Sequence, residues 1–266
     1  MCPWYSKILS RRHFFDSLSR LVAYRFKIAT YLPLNGIPLF MMQCGGGFQP
    51  RVSSFDNTMI QKKSTAGIIL AAGASTRFGE PKQLLRLKDK CLLEWVLDAA
   101  LKSELNRIVL VLGYAHQKIL KAMGETLQHS KLLVAINLQH DKGQSLSLRT
   151  GLSEVKEDYP AVMFLLGDQP MLNTSSINVL LEKFWSGEKD ICVPTYRGKR
   201  KTPAIFRRCF YTRLMDLEGD MGARRLIDDH PDRVLAVEME DPIRFVDVDT
   251  RQDFERLKKK LEQSTG

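Results

Sequence analysis

The sequence predicts one α/β domain with three layers, in which a mostly parallel sheet lies between two layers of helices. Short apolar runs of strand length alternate along the chain with stretches of helical periodicity. This alternation is typical of a parallel sheet that is covered by helices on both faces. The chain has 266 residues, 44% of them hydrophobic, which is enough for one sizeable core. No repeat of fixed period indicates a solenoid or an array.

The individual elements follow from residue type and spacing. In the first helical stretch, for example, Leu93, Val96, Leu97 and Ala100 share one face. The same reasoning predicts strands over 66–72, 107–112, 132–137, 161–166, 190–193, 203–206, 234–238 and 244–248. It predicts helices over 92–101, 115–123, 145–155, 175–184, 209–217, 223–229 and 250–261.

Residues 1–58 differ from the rest and are predicted to be a basic N-terminal extension to a domain over 59–266. They carry seven of the 40 Lys and Arg residues but only two of the 30 acidic residues. The glycine triplet at 45–47 and the polar residues that follow are typical of a linker. The extension is expected to be disordered or to precede the native product, which would then start at Met59. A transit peptide and a short accessory segment remain alternatives.

Composition excludes several classes of protein. The formal net charge is +10, but 59–266 has no stripe of basic and aromatic residues, so a nucleic-acid partner is not expected. No apolar run reaches about 18 residues, so no membrane span is expected. The five cysteines are widely spaced and form no C-x-x-C pair, which argues against a zinc site or a disulfide framework. A reducing cytoplasm is the expected location.

The loop after the first strand, 70–82, is the first candidate site. Its small residues and glycines let a backbone approach a ligand closely, and such a loop can bind an anion through its N–H groups. Arg77 and Lys82 add positive charge where a triphosphate would lie. A strand-to-helix turn without a ligand is the alternative. A Walker A loop is excluded because five residues separate Gly73 from Gly79, and G-x-G-x-x-G is excluded by Ser75, so a dehydrogenase is disfavoured.

A second candidate follows the strand at 161–166. There Asp168 lies in the sequence Gly-Asp-Gln-Pro, at the strand end where ligands of open α/β sheets bind. Magnesium prefers carboxylate, phosphate and water oxygens. Asp247 and Asp249 share one face of the strand predicted near the C-terminus, and one of them could join Asp168 on the ion. A solvated turn aspartate and a helix cap are the alternatives.

Three further segments carry candidate residues. Gly143 and Ser147 belong to a loop that opens a helix, where a serine could simply be a cap. The segment 198–203, which we call the acceptor loop, is rich in lysine and arginine and is equally consistent with a solvated charge run. Asp220, at the start of the helix predicted over 223–229, is interpreted as that helix's cap rather than as part of an anion site.

These motifs resemble those of the MobA-like nucleotidyltransferase family. The residues L-A-A-G-x-S-x-R-x-G-x-x-K at 70–82 match its signature, and G-D-x-P at 167–170, G-Q-S-x-S-L at 143–148 and G-D-x-G-A-R at 219–224 match further family patterns. The A-A-G form and the Gln-Leu-Leu at 83–85 resemble the molybdenum cofactor cytidylyltransferase branch, because the guanylyltransferase branch has L-A-G-G. The acceptor loop departs from the family's G-x-x-G-H-P, with Lys201 and Thr202 in place of glycine and histidine.

The resemblance implies a fold, a reaction and roles for individual residues. The fold would be that of the nucleotide-diphospho-sugar transferases, which is Rossmann-like. CTP or another nucleoside triphosphate would react with a molybdopterin-type cofactor and release pyrophosphate, and a molybdenum hydroxylase could receive the product. The implied roles are catalysis for Arg77, Lys82 and Asp168; Mg²⁺ binding for Asp168 and Asp249; nucleotide binding for Leu70, Ala71, Ala72, Gly73, Ser75, Gly79, Gly143, Gln144 and Ser147; and acceptor binding for Gly198, Lys201 and Pro203.

Three alternatives to this function stay open at this point. The same chemistry could use another triphosphate or a sugar-phosphate acceptor. The chain could instead be a carrier of the molybdenum cofactor without catalysis, although pure binding needs no metal carboxylate. An oxidoreductase is disfavoured by the failed dinucleotide motif.

Overall fold

Strand β1, Thr65–Ala71, is flanked on both sides by parallel strands in the computed structural model of the chain, which describes residues 63–75 and 78–263. The predicted N-terminal extension over 1–58, its boundary with the domain, and Arg77 lie outside the described residues. Every residue of β1 is buried except Leu70, which is partly buried. This fits a strand that is covered on both faces, as the continuous apolar run predicts.

The main sheet has eight strands in a mostly parallel arrangement. Its order is β10-β7-β9-β6-β1-β4-β5, with β8 paired to β7. Two strands pair antiparallel with their neighbours: β9, between β6 and β7, and β8, beside β7. The remaining strands of this sheet are β4 Arg107–Leu112, β5 Leu132–Ile136, β6 Ala161–Leu166, β7 Ile191–Tyr196, β8 Lys199–Arg200, β9 Ala204–Arg207 and β10 Val234–Glu238; a separate hairpin is formed by β2 Arg86–Leu87 and β3 Lys90–Cys91.

Helices cover both faces of this sheet, as predicted. The helices are α1 Leu92–Leu101, α2 His116–Met123, α3 Gln144–Ser153, α4 Thr174–Ser186, α5 Tyr211–Met215, α6 Arg224–Asp229 and α7 Arg251–Gln263. Because side chains alternate along a strand, Ile69 of β1 joins one core, with α1, α2 and α4, while Ile68 joins the other, with α3, α5 and α6. None of the helices in the described ranges is long and apolar enough to cross a membrane.

One predicted strand is wrong. The segment 244–248 forms no strand, and its first two residues belong to a 3-10 helix, Pro242–Phe245. Asp241 caps that helix by accepting a hydrogen bond from the backbone N–H of Ile243 at 3.1 Å. Proline favours a helical start because it lacks the N–H that a strand ladder needs. The apolar residues instead serve different cores, since Phe245 packs under α1 and α4 and Val248 packs against α7. The hairpin β2–β3 and strand β8 were not predicted, because each has only two residues per strand.

Candidate active site

A cavity of about 450 Å³ opens at the carboxyl ends of β1 and β6. This is the edge where open α/β sheets bind ligands, because the loops after parallel strands converge there. The cavity brings together most of the residues that the sequence singled out. Its lining consists of Leu70, Ala71, Ala72, Gly73, Lys82, Gln83, His140, Asp141, Gly143, Gln144, Ser147, Leu166, Gly167, Asp168, Asp220, Asp247 and Asp249.

Lys82, Asp168 and Asp249 form a cluster of ion pairs at this cavity, which we call the Lys82 cluster. The Lys82 ammonium donates to Asp168 Oδ2 at 2.6 Å, to Asp249 Oδ1 at 3.1 Å and to the carbonyl oxygen of Val248 at 3.1 Å. The side chains of Lys82 and Asp168 are 14% and 20% exposed, so this pair is largely withdrawn from water. Burial alone would lower the pKa of Lys82, but the charges and hydrogen bonds of Asp168 and Asp249 outweigh it and raise that pKa.

A buried glutamine holds the 70–82 loop against the chain that carries Lys82. Gln83 is 3% exposed, and its Nε2 donates to the carbonyl oxygen of Ala71 at 3.0 Å while its Oε1 accepts from Ser75 Oγ at 3.3 Å. Ser75 Oγ also accepts from the backbone N–H of Lys82 at 3.1 Å. Gly73 leaves its Cβ direction open, with no atom within 4 Å. The loop therefore presents free backbone next to a fixed ammonium, which suits an anion.

The loop before α3 is in direct contact with the loop before α6. Gly143 has φ +112°, and a Cβ there would lie 2.3 Å from the carbonyl carbon and oxygen of Gly219. The backbone N–H of Ser145 donates to that same Gly219 oxygen at 3.1 Å. This contact brings Asp220 to the cavity wall. The interpretation of Asp220 as a cap is wrong, because the N-cap of α6 is Ala223 and no side chain caps it.

A second buried glutamine links the Asp168 turn to two other segments. Gln169 is 1% exposed, and its Nε2 donates to Asp247 Oδ1 at 2.8 Å and to Thr202 Oγ1 at 2.5 Å. Although Asp247 is exposed as a residue, the burial of its carboxyl group raises its pKa, and the negative charge of Asp168 adds to that effect. Asp247 and Asp249 both face the cavity, as their two-residue spacing predicts, although from an extended segment rather than a strand.

Some of the predicted site residues do not line the cavity. Ser75 lies behind the loop and supports it, and Gly79 serves the turn with φ +71°. By contrast, Ser147 does line the cavity, although it is only 5% exposed. Its Oγ accepts from Asn137 Nδ2 at 2.9 Å, so Ser147 also fixes the loop after β5. The proposed acceptor residues lie outside the cavity lining, in the loop that ends at β9; these are Gly198, Lys201 and Pro203.

Other lining residues were not assigned a role from the sequence. His140 and Asp141 lie in the 3-10 helix His140–Lys142, and Gln83 follows Lys82 directly. Each is a neighbour of a residue that the motifs did single out. The signal that could have found them is therefore adjacency to a motif, combined with a polar side chain in an otherwise small-residue loop.

The carboxylates of this cavity fit a hard divalent cation. Asp168 and Asp249 supply oxygen ligands, and Asp168 Oδ1 is buried without a hydrogen-bond partner among the described residues. The part of the chain described here has no group of three His, Cys, Asp or Glu side chains placed as a metal centre. Magnesium does not need one, because it is commonly held by one or two carboxylates together with substrate phosphates and water.

The chain is similar in sequence to several known proteins. A model of the MobA-like NTP transferase domain matches residues 67–234. The purine catabolism protein PucB of Bacillus subtilis is 26% identical over 73% of this chain and 96% of its own length. A probable molybdenum cofactor guanylyltransferase of Bacillus cereus is 28% identical over 74% of this chain and 96% of its own length.

A solved structure shares the fold as well as part of the sequence. The crystal structure of Rv0371C of Mycobacterium tuberculosis in complex with manganese has a TM-score of 0.60 and 31% identity, over 74% of this chain and 98% of that one. The architecture is that of the nucleotide-diphospho-sugar transferases. Because the domain match spans more than half of the chain and includes the glycine loop, Lys82 and Asp168, we conclude that this protein belongs to the MobA-like NTP transferase family and is a nucleotidyltransferase.

Proposed function

We propose that this enzyme transfers the cytidylyl group of CTP to a molybdopterin-type cofactor and releases pyrophosphate. The observation that carries the proposal is that the Lys82 cluster and the open backbone of Gly73 line the same cavity. Fixed positive charge beside an anion-binding loop suits a triphosphate, and paired carboxylates suit its counter-ion. The choice of CTP rests on the A-A-G form at 71–73 and Gln83, which resemble the cytidylyltransferase branch.

In the proposed reaction, a phosphate oxygen of the acceptor attacks the α-phosphorus of the triphosphate. The new P–O bond forms in line with the bond to the β-phosphate oxygen, which breaks as pyrophosphate leaves. The protein's part is positioning and charge stabilisation, as in other phosphoryl transfers. The loop at 70–75 holds the triphosphate through backbone N–H groups, and Lys82 stabilises the negative charge of the transition state. Arg77, which lies outside the described residues, is proposed to add a second positive charge.

We propose that Asp168 and Asp249 hold Mg²⁺ when the nucleotide binds. The bound cation would neutralise phosphate charge and polarise the α-phosphate. Lys82 pairs with both carboxylates. This pairing limits the repulsion between them.

The acceptor loop supports a phosphorylated acceptor of this kind. Strand β8 within it consists of Lys199 and Arg200, both exposed, and Lys201 follows at the start of the turn into β9. We propose that Gly198, Lys201 and Pro203 shape the acceptor side of the site. The free thiols of Cys91, Cys192 and Cys209 are consistent with a reducing compartment, and we propose a cytoplasmic location. A molybdenum hydroxylase is the proposed recipient of the product.

A second candidate uses GTP instead of CTP with the same acceptor. The observation that favours it is the similarity to the Bacillus cereus protein, which is described as a probable molybdenum cofactor guanylyltransferase. The two candidates differ only in the base, so one assay separates them.

The experiment is pyrophosphate release from CTP, GTP, UTP and ATP with molybdopterin cofactor and Mg²⁺. We expect CTP to be the preferred substrate; preference for GTP would establish the second candidate. Asp168→Asn should abolish turnover while leaving the circular dichroism spectrum unchanged, with the exposed Asp216→Asn as matched control. Wild-type turnover by Asp168→Asn would refute the role given to Asp168.

A further inference from the structure

Gln169 occupies an unusual position between three segments of the chain. It follows Asp168 directly in the turn after β6, where its backbone carbonyl accepts from the N–H of Leu172 at 3.1 Å. Its side chain reaches Thr202 of the acceptor loop and Asp247 of the C-terminal segment. The side chain is almost fully buried, at 1% exposure. One amide therefore joins the carboxylate side of the cavity to a loop that does not itself line it.

The hydrogen bonds fix the orientation of this amide. Oδ1 of Asp247 accepts from Nε2 of Gln169, so the nitrogen of the amide faces the carboxyl group. The second proton of the same nitrogen goes to Thr202 Oγ1. Both donor protons are then used, and Oε1 is left buried without a partner among the described residues. A buried unpaired oxygen is unfavourable, so the two donor contacts must outweigh its desolvation.

The contact to Thr202 matters because of where this residue lies. Thr202 follows Lys201, whose backbone N–H is held by the carbonyl oxygen of Pro194 in β7 at 2.8 Å, and precedes Pro203, which is buried. The backbone of Lys201 therefore ties the acceptor loop to the sheet, and the side chain of Thr202 ties it to Gln169. The amide of Gln169 is the side chain that connects Thr202 to Asp247 at the cavity wall.

We propose that Gln169 is a positioning residue that holds the acceptor loop, through Thr202, next to Asp247 and in fixed register with Asp168. The consequence for catalysis, which rests on the proposed function, is that the fixed loop aligns the acceptor with the α-phosphate. The proposal couples the side chains of Gln169 and Thr202 through one hydrogen bond. The threonine takes the place of the histidine that the family pattern carries, and its hydroxyl supplies an acceptor for the Gln169 amide.

The test removes the hydrogen bonds of Gln169 first together and then singly. Gln169→Met keeps the approximate shape of the side chain but removes both donor contacts. Thr202→Val removes only the contact to the acceptor loop. Asp247→Asn keeps its bond, because the amide oxygen can accept from Gln169. The exposed Gln128→Met is the matched control, at a residue that does not line the cavity.

The first measurement does not depend on activity. Trypsin cuts after lysine and arginine, so the bond between Lys201 and Thr202 reports how firmly the loop is held. Loss of a hydrogen bond between neutral groups corresponds to about a fivefold change in an equilibrium. We expect cleavage at this bond to rise about fivefold in Thr202→Val, to rise at least as much in Gln169→Met, and to stay at the wild-type rate in Asp247→Asn. An unchanged rate in Thr202→Val or in Gln169→Met would overturn the proposal.

The second measurement separates the acceptor from the nucleotide. We expect the KM for the cofactor to rise about fivefold in Thr202→Val while the KM for the triphosphate is unchanged. Equal effects on both KM values would refute acceptor positioning. If Gln169→Met does not fold, Thr202→Val tests the loop contact by both readouts. If the wild type turns over no cofactor at all, the proposed function fails, and the trypsin result still decides whether Gln169 holds the loop.

Discussion

At the scale of single residues, Lys82 determines the electrostatics of the candidate site. Its ammonium donates hydrogen bonds to Asp168, to Asp249 and to the Val248 carbonyl, so it is fixed rather than freely rotating. The charges and hydrogen bonds of its two aspartate partners raise the pKa of Lys82, which keeps it charged at neutral pH. A fixed charge of this kind stabilises a transition state without a cost of reorganisation.

Substitution of this lysine is therefore expected to be severe. Lys82→Ala removes the charge and leaves Asp168 and Asp249 to repel each other. We expect pyrophosphate release to fall about 10²–10³-fold, which is typical for loss of one transition-state donor. Steady-state kinetics of the purified variant would measure this, with the exposed Lys118→Ala as control. A rate within about twofold of the wild type would remove Lys82 from the mechanism, since loss of such a donor costs far more.

The cysteines give a prediction on pH dependence. Burial raises the pKa of Cys192 to about 12 and that of Cys91 to about 11. The thiolate is the reactive form, so these raised pKa values leave little of it at pH 8. We expect iodoacetamide at pH 8 to modify the exposed Cys209 well before Cys192, and the Cys192 rate to rise with pH toward 10. Peptide mass mapping would follow each site, and rapid labelling of native Cys192 at pH 8 would contradict the buried arrangement.

At the scale of elements, the sequence was most informative where periodicity is strong. The helix Leu92–Leu101 and the strands Arg107–Leu112 and Ala161–Leu166 have the predicted bounds, because each combines a clear apolar pattern with flanking polar residues. The segment after Pro242 was misassigned, since proline starts a 3-10 helix there and none of the described strands pairs with the residues that follow. Alternation alone does not reveal whether a neighbouring strand is available.

The candidate site could be predicted in part for the same reason. Motif residues such as Gly73 and Asp168 follow strands, so the shared edge of a parallel sheet predicts that they meet. What depends on contact between distant loops could not be predicted. Gln169 meeting Thr202 and Gly143 meeting Gly219 require the three-dimensional path of loops whose conformation no periodicity encodes.

The contact between the loops before α3 and α6 leads to a prediction at this scale. A Cβ at Gly143 would lie 2.3 Å from the Gly219 backbone and would also need a positive φ. We expect Gly143→Ala to lower Tm and to raise the KM for the triphosphate, because the loop of Gly143, which lines the cavity, would have to move. Gly124→Ala is the control, since Gly124 also has a positive φ but open space around its Cβ. Equal Tm losses in the two variants would show that the loop contact adds nothing to backbone strain.

At the scale of the whole molecule, the site is completed by residues beyond the matched domain segment. Asp249 lies after residue 234, where that match ends, and reaches the cavity because the backbone N–H of Val248 donates to the Asp168 carbonyl at 3.0 Å. Val248 packs in a small core with Phe78 and Leu257 of α7. Helix α7 therefore supports the segment of Asp249 through this apolar contact, and its Asp253 also accepts hydrogen bonds from the N–H and hydroxyl of Thr250.

This arrangement predicts that a buried leucine far from the chemistry affects the cavity. Leu257 is 2% exposed, and Leu→Ala changes at buried positions cost about 2–5 kcal/mol. We expect Leu257→Ala to lower Tm and, at a temperature where the variant is folded, to weaken Mn²⁺ binding measured by electron paramagnetic resonance, because Val248 and with it Asp249 lose their support. The exposed Lys258→Ala should change neither quantity. A destabilised Leu257→Ala that binds Mn²⁺ as tightly as the wild type would show that the apolar contact of α7 does not position Asp249 and serves stability only.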